Sequence, residues 1–219
     1  MDIFDLIGPI MVGPSSSHTA GAVRIGLACR RILGEEIAEA DITLSGSFAA
    51  TGRGHGTDKA VVAGLLGMAP DDVRVPESFQ YARESGLLFS FAFGDIPMAH
   101  PNTARLVLKG VHGAEADIEA ASVGGGRIEI RRIGDMSLCF SAEQPTLIIR
   151  NEDKPGNVAE VSRILAEEKI NIATFHVNRN SRGGEAVMVI ECDTPLTDAL
   201  LGRIRALPGI LSAVYINQD

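Results

Sequence analysis

The tightest constraint on the fold lies in residues 146–218, where strand and helix patterns alternate with almost no spare chain between them. "TLIIRNE" (146–152), "NIATFHVNRN" (171–180), "EAVMVIECD" (185–193) and "LSAVYINQ" (211–218) are rich in β-branched residues and read as strands. After the first comes "DKPGNVAEVSRILAEEKI", a turn and a helix that place Val158, Val161 and Leu165 on one face. "SRGG" turns the second strand into the third. In "PLTDALLGRIRALPGI", Thr197 is the expected N-cap, Leu196 and Leu201 are spaced for a hydrophobic staple, and Pro208-Gly209 stops the helix. The order strand–helix–strand–strand–helix–strand lets both helices cover one face of an antiparallel sheet.

That order is ferredoxin-like, and it makes residues 146–219 a domain of their own. "SAEQP", ending at Pro145, marks the boundary with a first domain, residues 1–145. There "TAGAVRIGLACRRIL" (19–33) sets Ala22, Ile25, Cys29 and Ile32 on one helical face. "ADITLSGSFA" (40–49) reads as a strand running into a glycine-rich loop, "TGRGHGTD" (51–58), and a helix follows over 58–67. Residues 70–86 carry no clear pattern. "RLVLKG" and "ADIEAASVGGGRIEIRRIG" supply strands, the last two joined as a hairpin through Gly124-Gly125-Gly126. The expected class is α+β: a mixed α/β domain followed by a ferredoxin-like one.

The 219 residues are 45% hydrophobic and 22% charged, which permits a buried core and argues against disorder. With 12 basic against 18 acidic residues up to position 145, and 8 against 10 after it, neither part offers the basic face a nucleic acid requires. The opening "MDIFDLIGPI" has no basic leader region, and no run approaches the roughly 18 apolar residues of a membrane span. A soluble, cytoplasmic protein is expected. Cys29, Cys139 and Cys192 are far apart and form no CxxC, so they read as core or near-surface thiols rather than ligands.

Chemistry concentrates in three clusters of the first domain: "GPSSSHTAG" (13–21), "GRGHGTD" (52–58) and "AHPNTAR" (99–105). Two of them directly precede an expected helix, where unpaired N–H groups and a partial positive charge favour a carboxylate or phosphate. A single Ser or Thr satisfies an N-cap, whereas Ser15, Ser16, Ser17, His18 and Thr19 exceed that need. Gly52, Gly54 and Gly56 shape a turn with or without a ligand, and His100 before Pro101 is either a spacer or a placed donor. The clusters spell neither a P-loop nor GxGxxG, and there is no GxSxG elbow. None of Lys59, Lys109, Lys154 and Lys169 sits where a pyridoxal Schiff base is invited. Metal ligation by His18, His55 and His100 lacks HExxH or a close histidine pair. A hydrolase built on Ser16 or Ser17 with His18 lacks an acid partner and an oxyanion hole.

Residues 146 to about 218, with "NEDKPGNVAEVSRILAEEKINI", resemble an ACT domain. The resemblance implies edge-to-edge pairing of two copies and an amino-acid effector near Asp153, Gly156 and Asn157. "IGPIMVGPSSSHTAGAVRIG", "GSFAATGRGHGTDKAVVAGLLG", "HPNTARLVL" and "SVGGGRIEI", followed by that domain, resemble the beta subunit of the iron–sulfur-dependent L-serine dehydratases. The first domain is also similar to the regulatory substrate-binding domain of some phosphoglycerate dehydrogenases. The dehydratase resemblance implies conversion of L-serine to pyruvate and ammonia without pyridoxal phosphate. It also implies a [4Fe–4S] cluster held by cysteines of a partner alpha subunit, with no metal ligand in this chain. Laid onto this sequence, it makes Ser15, Ser16, Ser17 and Thr19 carboxylate binders, joined by Gly56, Thr57, Asn102 and Thr103. His18, His55 and His100 become the catalytic candidates. We favour His55 as the base, although the residues themselves do not rank the three. The chain alone is expected to be inactive, and ACT pairing implies a dimer of heterodimers. The alternative is a non-catalytic module that senses an anion or amino acid.

Overall fold

The structure is a computed structural model that describes residues 10–217; the opening residues, where the sequence reading expected no leader, lie outside the described ones, as do 218 and 219. The chain divides between Gly134 and Asp135 into two compact units.

In the first unit a π-helical turn, Ser16–Ala20, runs directly into α1 (Gly21–Leu33). It is followed by β1 (Ile37–Gly46), α2 (Ser47–His55), α3 (Thr57–Leu65), a 3-10 turn (Val75–Glu77) and α4 (Ser78–Ser85). Strands β2 (Leu88–Phe93), β3 (Asn102–Gly110), β4 (Glu115–Gly124) and β5 (Arg127–Ile133) complete it. Their order in the sheet is β2-β1-β3-β4-β5, with β1 parallel to β2 and the other pairs antiparallel. Alternation decides the faces. Ile42 and Leu44 of β1, Leu106 and Leu108 of β3, and Ile118 of β4 are buried, as are Ala22, Ile25, Cys29 and Ile32 of α1. On the opposite face, Arg105 and Arg132 both bind the Asp117 carboxylate, at 2.8 and 3.0 Å.

Two close approaches shape this unit. Helix α1 meets α3 at Gly26 and Gly64, where a Cβ on Gly26 would stand 2.3 Å from the Val61 carbonyl oxygen. Gly46, at φ +58°, ends β1 so tightly against Pro101 that a Cβ there would lie 2.4 Å from the Pro101 carbonyl oxygen. That turn accounts for the main departure from the sequence reading. Residues 47–55, expected as a strand end and a glycine loop, form α2 instead. The Pro101 carbonyl accepts from Ser47 N at 2.6 Å and from Phe48 N at 3.4 Å, taking up donors that the first helical turn cannot pair internally. Strand β2 and helix α4 were not foreseen either.

The second unit opens with β6 (Met136–Phe140), also unforeseen, and continues through β7 (Thr146–Glu152), α5 (Asn157–Glu167), β8 (Ile172–Arg179), β9 (Glu185–Cys192), α6 (Asp198–Arg205) and β10 (Ile210–Ile216). The sheet order β10-β7-β9-β8, all antiparallel, is the expected ferredoxin-like arrangement. Leu147, Ile149, Met188 and Ile190 of the sheet share one core with Val161, Ile164 and Leu165 of α5 and Leu200, Leu201 and Ile204 of α6. Thr197 caps α6, its hydroxyl accepting from Leu200 N at 3.2 Å, and the staple pair Leu196 and Leu201 is buried. Val158 departs from expectation. The α5 stripe meets the sheet from Val161 onward, leaving Val158 in the first turn 42% exposed.

Candidate functional site

The site is assembled where β1 ends and β3 begins. Register pairs Gly46 with Asn102 and Ser45 with Thr103, so the sheet ladder itself brings "HPNT" beside the start of α2. The Pro101 carbonyl then ties that segment to Ser47.

Ser15 precedes the π-helical turn in extended conformation and acts as the cap, its hydroxyl accepting from His18 N at 3.1 Å. One hydroxyl suffices for that, and Ser16 and Ser17 stand half-buried beside it. His18 is held at both ring nitrogens: Ser15 Oγ lies 3.4 Å from Nδ1 and Ser47 Oγ 3.0 Å from Nε2. Its ring packs edge-on against His55, with centroids 5.1 Å apart, and against Phe48 at 5.3 Å. Burial lowers the His18 pKa from its ordinary 6.5, and the neighbouring His55 lowers it further, against a hydrogen bond from the ring to the Ser47 backbone that pulls it up. His18 is therefore a neutral imidazole at pH 7, able to take up a proton.

His55 ends α2 on the exposed side of this pair, and its carbonyl accepts from the Thr19 hydroxyl at 3.4 Å. Thr19 is 3% exposed and is committed to bracing the two helices. Gly56, left-handed at φ +67°, turns α2 into α3. Thr57, first residue of α3, is fully buried with its hydroxyl unpaired, as is the hydroxyl of Ser122 on β4. An unsatisfied buried hydroxyl costs roughly 1–3 kcal/mol, so both stand out at a site otherwise tightly bonded. His100 accepts at Nδ1 from Asn102 N at 3.1 Å, which places the proton of its neutral form on Nε2. The Thr103 hydroxyl donates to the His100 carbonyl at 2.7 Å, and Asn102 Nδ2 to the Ser122 carbonyl at 3.4 Å.

The three clusters are thus joined: His18 contacts His55 directly, and Ser47 links His18 to the segment carrying His100. Asp153, Gly156 and Asn157 belong to the other unit. Asp153 accepts from Gly183 N and Arg179 there, at 2.9 and 3.0 Å, and Asn157 Nδ2 donates to the Glu152 carbonyl at 2.8 Å. Gly156, at φ +104°, has open space on its Cβ side. Sequence reasoning missed Ser47, Phe48 and Ser122. The apolar run Phe48-Ala49-Ala50, which breaks strand alternation, was the signal that Ser47 opens a helix.

The three thiols of the chain are free. Burial raises the Cys29 thiol pKa far above its ordinary value, and burial and Asp193 raise that of Cys192 to about 11, while Cys139 is exposed on β6. Among the described residues, no group of three or more His, Cys, Asp or Glu is gathered to hold a metal ion, and no helix is long and apolar enough to cross a membrane.

Comparison with known proteins covers both units. The family described as Serine dehydratase beta chain matches residues 2–88, which hold the first two clusters, and the ACT domain matches residues 145–209. The chain is similar to the probable L-serine dehydratase, beta chain, of Bacillus subtilis (39% identity over 98% of this chain and 97% of that one). It is similar to the L-serine dehydratase, beta chain, of Peptoniphilus asaccharolyticus at 35% identity over 97% and 96%. A D-3-phosphoglycerate dehydrogenase of Bacillus subtilis is 26% identical over 90% of this chain and 37% of its own length. With near-complete coverage of two beta chains and the helix starts of both matched clusters built around His18 and His55, the chain belongs to the L-serine dehydratase beta-chain family.

Proposed function

We propose that this chain is one half of an L-serine dehydratase, converting L-serine to pyruvate and ammonia with a cluster-bearing alpha subunit. The observation that carries the reading is His18, kept neutral between two serine hydroxyls, with His55 against its ring, at a helix start rich in donors. Ser15, Ser16 and Ser17 at the α1 end, and Gly56 and Thr57 at the α3 end, present hydroxyls and amides that bind the substrate carboxylate. The unpaired Thr57 hydroxyl gains a partner when that carboxylate enters. Thr19 and Thr103 act on the pocket indirectly, by bracing His55 and His100, and Asn102 holds the wall between β3 and β4.

Dehydration removes the α-proton and the β-hydroxyl; the resulting enamine tautomerises to an imine, which water hydrolyses to pyruvate and ammonia. His55, exposed beside neutral His18, takes the α-proton at a ring nitrogen, and His18 shares the charge that develops. His100, with its proton on Nε2, donates towards the departing hydroxyl. A [4Fe–4S] cluster held by alpha-subunit cysteines supplies Lewis acidity for that hydroxyl. The ACT unit pairs with a second copy and takes an amino-acid effector at the Asp153–Asn157 turn, where open space beside Gly156 admits a ligand close to the backbone.

The test is anaerobic co-expression with the alpha subunit. The expected result is pyruvate from L-serine by the complex and none by either chain alone, with His18→Ala and His55→Ala each lowering turnover about 10²–10⁴-fold. Full turnover in either variant refutes the assigned roles. The likeness to a phosphoglycerate dehydrogenase favours a second reading, a sensing module. Serine binding to the isolated chain by calorimetry, with no dehydratase activity in any complex, decides for that one.

A further inference from the structure

We propose that Ser47 is a positioning residue of the dehydratase site: its hydroxyl holds Nε2 of His18 and so fixes the ring's orientation against His55. The inference rests on the serine dehydratase reading and adds to it a residue outside all three clusters. Ser47 Oγ stands 3.0 Å from Nε2, closer than Ser15 Oγ stands to Nδ1 at 3.4 Å. The two hydroxyls arrive from different elements, Ser15 from the turn before α1 and Ser47 from the start of α2, so the ring is gripped along its long axis. A neutral imidazole has one donor and one acceptor nitrogen, and serine hydroxyls serve either role. Gripping both nitrogens therefore opposes ring flips, leaving the ring edge on His55 with centroids 5.1 Å apart.

Ser47 is itself rigidly placed. Its N–H donates to the Pro101 carbonyl at 2.6 Å, its own carbonyl accepts from the Thr51 hydroxyl at 2.8 Å, and Gly46 before it is pressed against Pro101. These bonds use only the backbone of Ser47. The side-chain hydroxyl takes no part in these bonds, so its removal leaves them in place. The arrangement also couples the third cluster to the first: any shift of Pro101, next to His100, is transmitted through Ser47 to Nε2 of His18.

The experiment uses Ser47→Ala and Ser47→Thr in two settings. In the full-length chain, long-range proton–nitrogen NMR of the histidine rings reads the environment of the two His18 ring nitrogens. The expected result is a His18 Nε2 signal shifted in Ser47→Ala and kept at its wild-type position in Ser47→Thr, with unchanged thermal unfolding in all three. In the anaerobic complex, Ser47→Ala is expected to lower kcat roughly tenfold with KM for serine little changed, because positioning acts on the reacting state, and Ser47→Thr is expected to restore it. Wild-type His18 ring signals in Ser47→Ala, or full kcat in an active Ser47→Ala complex, overturns the proposal. If the wild-type complex makes no pyruvate, the serine reading fails by itself, and the ring signals still decide whether Ser47 orients His18.

Discussion

The two units use their polar residues in opposite ways. At the α5 turn of the second unit, Asp153 accepts from Gly183 and Arg179 of the same unit, and Asn157 donates to the Glu152 carbonyl. At the helix starts of the first unit, polar groups accumulate beyond local need. One serine of three caps the turn, Thr57 and Ser122 hold buried hydroxyls with no partner, and the His55 ring meets a His18 ring whose charge burial disfavours. The first unit keeps unsatisfied hydroxyls beside its clusters at the cost of stability, as expected where a ligand completes them, whereas the second unit's Asn151 Oδ1 is buried and unpaired on a strand. The second is built for packing, with one core shared by a sheet and two helices.

The largest test of that contrast pairs His18→Ala with Asp153→Ala in the anaerobic complex. His18→Ala is expected to lower kcat by about 10²–10⁴, and Asp153→Ala to leave kcat at saturating serine unchanged while altering any amino-acid effect. Equal losses in both variants erase the division of labour.

Next in size is the crossing of α1 and α3. A methyl group on Gly26 meets the Val61 carbonyl oxygen at 2.3 Å and the Gly64 Cα at 2.8 Å, backbone atoms that cannot swing aside. Gly26→Ala is expected to destabilise the first unit by about 3 kcal/mol, read as lost hydrogen-exchange protection in α1 and α3 with protection in α5 and α6 kept. Uniform loss across both units would show that they do not fold independently.

A smaller effect is electrostatic. Hydrogen bonding to Arg105, and then to Arg132, holds the Asp117 carboxyl at a pKa of about 2, below its ordinary 3.8. A depressed carboxylate pKa contributes stability that is complete above 3.8 and is lost as the pH falls through 2. In Asp117→Asn that contribution, about 2 kcal/mol, is absent, so its denaturation midpoint changes less than the wild type's between pH 6 and pH 2.5. The ion pairs of the second unit, such as Arg163 with Glu160, lie in solvent, and Glu160→Gln is expected to change stability far less.

How much was legible in advance follows the same division. The second unit was readable because each element carries its own local signal. Thr197 caps, Leu196 and Leu201 staple, and strands of β-branched residues alternate with amphipathic helices. Apart from β6, Val158 departed, because helical periodicity does not say at which turn a helix meets its sheet. In the first unit the clusters were visible as surplus, but their geometry was not. Glycines at 52, 54 and 56 suggested a loop, whereas α2 extends through His55, anchored at its start by a carbonyl from a segment 54 residues later, Pro101. Ser47 escaped notice for the same reason, since its importance comes from the long-range contact with His18 and not from its neighbours in sequence.

The smallest expected effect has the opposite sign from the Gly26 change, although the substitution is the same. Gly202 lies in α6, exposed, with nothing within 4 Å of where its Cβ would stand. There, alanine only reduces the conformational freedom of the unfolded chain, and Gly202→Ala is expected to stabilise the second unit by about 0.5–1 kcal/mol. Gly26 and Gly202 are both helical and both glycine, so helix propensity alone assigns the two substitutions the same gain. A small gain at 202 with a large loss at 26, each measured by hydrogen exchange in its own unit, shows that backbone contact between helices, and not propensity, governs the first unit. A gain at both positions removes the α1–α3 crossing as the scaffold that holds the Ser15–Thr19 and His55–Thr57 segments together.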